Sequence, residues 1–164
     1  MDTTYLSLNE DTMAIIASIL LANLFVIAIV GLIAYVFSSI AFYSMAKKKD
    51  LDRPWLAWIP LGNYFIFGKI IDEKVPFGSK ITPYAHIILP LACLIAPMLG
   101  YIPSIGFLFP IAFTVYNYFA LYRLYRLYNP DRAVLFLVLS IIFPIIDSIF
   151  LFSMRNNEPV EYLR

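Results

Sequence analysis

The sequence contains little of the chemistry from which most catalytic and metal sites are built. It has one cysteine, Cys93, and one histidine, His86, among its 164 residues. One cysteine cannot form an intrachain disulfide, and neither a cysteine cluster nor a histidine-rich metal site is possible. Charged residues make up 14% of the chain and leave a net charge of +1, so no overall field would attract nucleic acid. We therefore predict no cofactor, no metal centre and no nucleic-acid partner.

Apolar residues are, by contrast, more abundant than in a soluble protein. They form 62% of this chain, whereas soluble globular domains are about half apolar and about a quarter charged. A chain of 164 residues has too few polar side chains to cover that surface, so lipid is the predicted solvent. The acidic opening residues followed by a long apolar stretch are unlike a cleaved signal peptide. We expect one all-α domain, residues 1–164, integral to the cell membrane.

Four stretches are long and apolar enough to be predicted as transmembrane helices. Crossing about 30 Å of hydrocarbon takes about 20 apolar residues. The four stretches are residues 13–46, 81–99, 103–121 and 133–154.

A fifth apolar stretch, residues 54–71, is interrupted at its middle by a Pro-Leu-Gly-Asn sequence. Each half has about eight residues and would reach only about 12 Å as a helix. We therefore predict a broken interfacial or re-entrant segment, in which Pro60, Gly62 and Asn63 are candidate ligand-binding residues, as at the broken helices of transporters.

The distribution of basic residues favours this interpretation of residues 54–71. If the segment does not cross, ten of the twelve basic residues lie on one side of the membrane and two, Arg155 and Arg164, on the other. If it crosses, the split is six to six. Because cytoplasmic loops are enriched in Lys and Arg, we predict that the basic loops are cytoplasmic and that both termini are outside. The ten residues are Lys47, Lys48, Lys49, Arg53, Lys69, Lys74, Lys80, Arg123, Arg126 and Arg132.

The segment after the first predicted helix has a pattern of a basic turn followed by Trp55, Pro60 and Asn63. It resembles an uncharacterised group of small bacterial multi-pass membrane proteins, in which this pattern precedes three apolar helices. The later helices align with that group by hydrophobicity alone, and Gly62 stands where the group has an aromatic residue. The resemblance implies a multi-pass membrane fold and supplies no activity.

One acidic residue, Asp147, falls inside a predicted transmembrane helix. An ionisable side chain at that depth usually faces the bundle interior or water, so Asp147 and the adjacent Ser148 form a candidate functional site. The alternative is a structural role, in which a protonated Asp147 bonds to Ser148 or to backbone freed by Pro144. His86 and Asn117 are further polar candidates. At 1.5 Å per residue they lie about 8 and about 6 Å inside the cytoplasmic boundary and Asp147 about 21 Å, so we expect them to meet each other but not Asp147.

A basic rim is predicted at the cytoplasmic boundary. Arg123 and Arg126 are three residues apart, and so adjacent on one helix, within a tyrosine-rich sequence. Such a sequence is typical of an aromatic belt with arginines that extend to the interface. Together with three lysines, the arginines could instead bind anionic phospholipid. The candidate headgroup residues are Lys47, Lys48, Lys49, Arg123 and Arg126.

Small residues recur along the first helix at spacings of three, four and three. Such a seam allows helices to approach closely. It predicts packing within this protein or, alternatively, self-association or contact with another membrane protein. The seam consists of Gly31, Ala34, Ser38 and Ala41.

Three classes of function remain. The small size and the lack of convergent chemistry favour a non-catalytic accessory, partner-binding or protection protein, a class that includes peptide-antibiotic immunity proteins. A small oligomeric transporter or channel that uses Asp147 is the first alternative. An intramembrane enzyme that acts on lipid is the second. Because no acid–base pair or metal set is recognisable, we predict that the protein is not an enzyme.

Overall fold

The secondary structure of the protein is mostly helical in the computed structural model, which describes residues 10–77 and 80–160. An antiparallel hairpin pairs β1 (Val75–Phe77) with β2 (Lys80–Thr82), and short 3-10 helices lie at Pro54–Trp58 and Pro130–Arg132. The all-α prediction is thus confirmed. The helices are α1 (Glu10–Lys48), α2 (Pro60–Ile70), α3 (Ala85–Leu99), α4 (Leu108–Tyr128), α5 (Ala133–Ile142) and α6 (Ile146–Met154).

The chain divides into two compact units, Met1–Ile33 and Ala34–Arg164, where the sequence predicts one domain. In its described part, the first unit is the N-terminal portion of α1, whose large apolar side chains are exposed on every face. Its polar Ser18 and Asn23 side chains each donate a hydrogen bond of 2.8 Å to a carbonyl one turn earlier. Among the described residues, α1 alone has the length and composition to cross a membrane. The hydrogen bonds of Ser18 and Asn23 suit a lipid environment, in which polar groups must be paired within the protein.

The second unit contains three hairpins that each begin and end near one end of the unit. We call this the basic end, and it comprises the C-terminal ends of α1, α2 and α4 at Lys48, Ile70 and Tyr128. The core is built from side chains of these helices, and it includes the fully buried Met45, Ile66, Ile70, Leu124 and Tyr125.

The first hairpin is the segment from residue 49 to residue 70. Its 3-10 helix leads away from the basic end, the chain turns at Ile59, and α2 returns. Pro60 suits the first position of α2 because a helix leaves its first N–H groups unpaired and proline has none. The contacts advance in the same direction along α1 and the hairpin, and they join Tyr35 to Trp58, Ser39 to Asn63, Phe42 to Phe67 and Lys49 to Ile70. The segment therefore enters and leaves at the same end of the unit.

The second hairpin consists of α3 and α4, joined by residues 100–107. Gly68 of α2 allows α3 to start close by, since a Cβ there would collide with the backbone of His86. The return of α4 to the basic end is marked by Arg123, whose Nε donates to the Ile71 carbonyl at 3.0 Å. The joining loop has no charged residue, and its Tyr101 is 89% exposed.

The third hairpin replaces the predicted continuous span over residues 133–154. Helix α5 ends at Ile142 and α6 begins at Ile146, with Pro144 between them. Phe136 stacks on Phe150 with 4.1 Å between ring centroids. In one continuous helix these residues would be about 21 Å apart. The prediction of a fourth continuous helix is therefore wrong, because proline ends the first helix and the chain folds back.

The chain that follows α6 returns to the basic end. Asn157 Nδ2 donates to the Tyr128 carbonyl at 3.1 Å, and the Val160 N–H donates to the Leu127 carbonyl at 2.8 Å. Lys48 also donates, to the carbonyl of the residue before Asn157. The predicted topology places this segment at the opposite end of the bundle, whereas the structure places it beside the ends of α1 and α4.

Candidate functional site

A polar cavity of about 110 Å³ lies inside the second unit between α1, α2, α4 and α6. Each of the four helices contributes at least one polar side chain. Ser38 comes from α1, Asn63 from α2 and Asn117 from α4, and α6 contributes both Asp147 and Ser148. Larger side chains complete the lining, namely Phe42, Tyr64, Phe67, Leu121 and Leu151. The cavity thus combines the broken-helix candidate Asn63 with three of the predicted intramembrane polar residues.

The meeting of Asp147 and Asn117 in one cavity contradicts the depths expected from the sequence. Those depths assume that residues 133–154 form one straight helix. Helix α5 has ten residues, or about 15 Å, before the chain turns. Asn117 lies eleven residues before Tyr128 on α4, or about 16 Å from the basic end. The break before α6 therefore brings Asp147 to the level of Asn117.

His86 lies at the junction of α2 and α3 rather than beside Asn117. Its Nδ1 is 3.3 Å from Glu73 Oε2, and its ring stands edge-on to Phe65 with 5.4 Å between centroids. Glu73 also accepts a hydrogen bond from Lys69, one turn earlier. This bond lowers the pKa of the Glu73 carboxyl, and partial desolvation opposes the shift. The group is an ion-pair cluster at the basic end and does not contribute to the cavity.

Most of the hydrogen-bond donors on the polar lining residues are already occupied. Asn63 Nδ2 donates to the Ser39 hydroxyl at 3.3 Å and to a backbone carbonyl at 2.9 Å. The Ser38 hydroxyl donates to a backbone carbonyl at 3.0 Å, and that of Ser148 donates to Asp147 Oδ1 at 3.2 Å. An amide nitrogen has two hydrogens and a hydroxyl has one. Each of these three side chains can therefore only accept a further hydrogen bond.

Oxygen acceptors are left for a ligand, beside the amide N–H groups of Asn117. Asn117 Oδ1 is buried and has no hydrogen-bond partner within the part of the chain that the structure describes. Asp147 is half-buried and is the one charged residue among the described residues that line the cavity. An anion or an apolar molecule would leave these acceptors unpaired, which is costly. A small cation or a hydrogen-bond donor fits, and the cavity is larger than one water molecule requires.

No transition-metal site accompanies the cavity in the described residues. Across residues 10–77 and 80–160, no group of three His, Cys, Asp or Glu side chains converges as a metal ion would need. The charge available for a ligand at this site is therefore the single carboxylate of Asp147.

Two residues of the predicted basic rim are engaged at the end of α2. Lys49 Nζ lies 2.6 Å from the Ile70 carbonyl and 2.6 Å from Asp72 Oδ1, and its side chain is 7% exposed. Arg123 Nε reaches the next carbonyl, that of Ile71, at 3.0 Å. Cations at a helix C-terminus pair with carbonyl groups that have no partner within the helix. Lys49 and Arg123 therefore join α1 and α4 to α2.

The other three rim residues are less confined. Lys47 and Lys48 are exposed, although Lys48 donates to a carbonyl of the C-terminal segment. Arg126 lies over the ring of Tyr122, with 5.9 Å from its guanidinium carbon to the ring centroid. Arg123 thus makes a structural contact with α2, whereas Arg126 is exposed. Substituting each arginine in turn distinguishes a structural role of the rim from an interfacial one.

We expect Arg123→Gln to lower the free energy of unfolding by about 1–2 kcal/mol, because the Ile71 carbonyl loses a charged donor. Arg126→Gln should lower it by only about 0.5 kcal/mol, the loss of one exposed cation–π contact. Unfolding in lipid-free detergent measures both. A rim that acts only through anionic phospholipid would give a different result: both variants would retain less lipid, and neither would lose stability without lipid.

The small-residue seam is divided between different surroundings. Ala41 is fully buried, and Ser38 lines the cavity. Ala34 is half-buried, whereas a Cβ added to Gly31 would have no atom within 4 Å. Packing within the chain therefore uses Ala41 and Ser38, and Gly31 is available to a partner.

Sequence reasoning missed two contributions to the site. Ser38 was interpreted only as a small residue, and Tyr64 was not singled out. Tyr64 directly follows Asn63, so its position beside a candidate residue was the available signal.

Comparison with protein-family models, curated proteins and solved structures finds no match to this chain.

Proposed function

We propose that the protein is a non-catalytic, multi-pass membrane protein that binds a small cation at Asp147, as a small oligomeric transporter or channel would. The observation that carries the proposal is the convergence of Asn63, Asn117 and Asp147 on one cavity, in which the buried Asn117 Oδ1 has no hydrogen-bond partner among the described residues. Helix breaks adjoin the cavity on both sides, at Ile59 and at Pro144. Discontinuous helices at a cation site are typical of transporters.

The membrane arrangement that we propose has three crossings. Helix α1 crosses once, α3 and α4 cross and return, and the other two hairpins enter and leave at the cytoplasmic side. This arrangement gives an outside N-terminus and a cytoplasmic C-terminus. It places the basic residues, including Arg155, on the cytoplasmic side. The positive-inside rule favours this distribution over the ten-to-two distribution of the topology predicted from the sequence. The α3–α4 hairpin begins and ends at the basic end. The C-terminus therefore lies on the side of the basic end whether or not the tip of this hairpin reaches the opposite face of the membrane.

A partner-binding accessory role, including protection of the immunity type, is the second candidate. The observation that favours it is the uncovered N-terminal portion of α1, in which side chains from Met13 onward are exposed. Gly31 offers a backbone surface that nothing approaches. In lipid, small residues of this kind promote association between helices. The partner would be another membrane protein or a second copy of the chain.

Thermal unfolding of the purified protein tests the cation proposal. Sodium, potassium and methylammonium chlorides are added at constant ionic strength, with N-methylglucamine as a balancing cation too large for the cavity. A cation that binds only the folded state at a hundredfold excess over Kd stabilises it by about 2.7 kcal/mol. We expect at least one small cation to raise Tm above the N-methylglucamine value. If none does, cation binding is refuted and the accessory role becomes the better-supported function.

A further inference from the structure

An apolar groove of about 490 Å³ lies between α3 and α4. Aliphatic side chains of α3 form one wall, and Phe109, Ala112, Phe113 and Tyr116 of α4 form the other. A volume in this range is that of a small-molecule site rather than of a packing defect. Its lining suits hydrocarbon.

The groove leads to the polar cavity along one face of α4. Phe109, Phe113, Asn117 and Leu121 follow one another at intervals of four residues, so their side chains adjoin on the helix. The first two line the groove and the last two line the cavity. Tyr64 of α2, which lines the cavity, contacts Phe113 edge-on with 5.9 Å between ring centroids. The Tyr64–Phe113 ring pair therefore lies at the boundary between the groove and the cavity.

The groove and the cavity are each lined by a residue that has an unpaired polar atom. Tyr116 lines the groove and Asn117 lines the cavity. Tyr116 Oη and Asn117 Oδ1 are both buried, and neither has a hydrogen-bond partner in the described ranges. Buried polar atoms are normally paired, so each exception is a candidate contact for a polar group of a ligand.

We propose that the ligand of this site is a single-chain amphiphile with a cationic amine head and an alkyl tail. The inference rests on the proposed cation site and names its ligand class. The ammonium group supplies three donors to the acceptors around Asp147 and Asn117. The tail lies in the α3–α4 groove, where it packs against the aliphatic and aromatic side chains of the lining.

The direction of the site along α4 agrees with this ligand. Asn117 is six residues from Arg123, or about 9 Å, and the groove residues of α4 lie farther from the basic end. An amphiphile bound in this way has its head toward the basic end and its tail toward the bilayer centre. This is the orientation of a lipid in the cytoplasmic leaflet.

The test compares methylamine with dodecylamine on the detergent-solubilised full chain. Ala112→Phe fills the groove and leaves the cavity residues unchanged. We expect this variant to bind dodecylamine about tenfold more weakly, which corresponds to the loss of roughly two buried methylenes, and to bind methylamine as before. Val115→Phe is the matched control, because Val115 lies on the same helix, is 41% exposed and does not line the groove. It should bind both amines as the unmodified protein does.

The outcomes distinguish failure of the proposed tail site from failure of the proposed cation site. If methylamine binds and Ala112→Phe leaves dodecylamine binding unchanged, the tail site is refuted and the cation site stands. If neither amine binds the unmodified protein, the amine ligand is refuted, and the cation site stands only if sodium or potassium raises Tm. Should Ala112→Phe not fold, Ala92→Phe on the facing wall of α3 makes the same test. Dodecanol, which lacks the charge, should bind Asp147→Asn and the unmodified protein equally well.

Discussion

A cysteine at position 158 should remain unlabelled when intact cells are treated with a membrane-impermeant maleimide, and it should react once the membrane is opened. Glu158 is exposed, and neighbouring residues bond to the ends of α1 and α4, so its side of the membrane is that of the basic end. The experiment uses Glu158→Cys in a Cys93→Ser background. Serine keeps a hydroxyl where the Cys93 thiol hydrogen-bonds to Tyr64. The expected effect is nearly all-or-none.

Two further positions calibrate the labelling. Lys74→Cys lies in the exposed turn after α2 and should be protected in the same way as position 158. Tyr101→Cys, at the tip of the α3–α4 hairpin, should be labelled from outside if that hairpin crosses the bilayer. Labelling at position 158 together with protection at position 74 would show that residues 133–154 do cross, and it would contradict the third hairpin.

The third hairpin is a feature of the fold that hydropathy alone does not predict. Residues 133–154 have the length and composition of a span, and a count of apolar residues carries no information on chain direction. Proline alone does not decide either, since Pro90 and Pro97 are accommodated inside α3 while Pro144 separates α5 from α6. The contacts of α5 with α4 show that the chain turns at Pro144 and does not continue as one helix.

Two tyrosines of α4 satisfy the polar groups near the end of α5. Tyr118 Oη donates to the Ser140 carbonyl at 3.4 Å, and Tyr125 Oη lies 2.9 Å from the Ser140 hydroxyl. The Ser140 carbonyl is the one that Pro144 deprives of its helical donor. The sequence identifies this carbonyl as unpaired, but only the folded chain shows that α4 supplies the donor.

The site was predictable as a set of residues and not as an arrangement. Asn63, Asn117 and Asp147 each stand out as polar groups in apolar surroundings, which is a local signal. Their convergence depends on the length of α5 and on the position of the turn at Pro144, which are properties of the fold. The acceptors that already occupy the donor groups of Asn63 and Ser38 are also reached through tertiary or backbone contacts. The proposed preference of the cavity for a cation therefore depends on contacts that the sequence does not show.

Replacing Asp147 by asparagine should abolish the cation response and leave the fold intact. Asparagine has nearly the shape of aspartate and keeps an oxygen that can accept the 3.2 Å bond from Ser148. It lacks the negative charge that a bound cation requires. Removing one partner of a buried, hydrogen-bonded charge pair costs about 2–5 kcal/mol. Affinity for the cation should therefore fall at least about thirtyfold.

The control is Asp131→Asn, the same chemical change at an exposed position in the 3-10 helix before α5. It should leave the cation-dependent rise in Tm unaltered. Measurements of Asp147→Asn with and without cation give the essential comparison, because a charged structural role and a cation-binding role of Asp147 predict opposite changes in the absence of cation.

A charged structural Asp147 would stabilise α6, since it lies in the first turn, where the helix dipole favours an anion, whereas a protonated structural Asp147 would be matched by asparagine with or without cation. In the charged case, asparagine would lower Tm even without added cation, and any cation response would persist. A cation-binding Asp147 is instead an uncompensated carboxylate in the empty cavity, and neutralising such a charge does not destabilise the fold. Asp147→Asn should then match or exceed the unmodified protein in N-methylglucamine and fall below it only when the small cation is present. A variant that loses stability in both conditions and still responds to cation would assign Asp147 to the structure of α6 and remove it from the binding site.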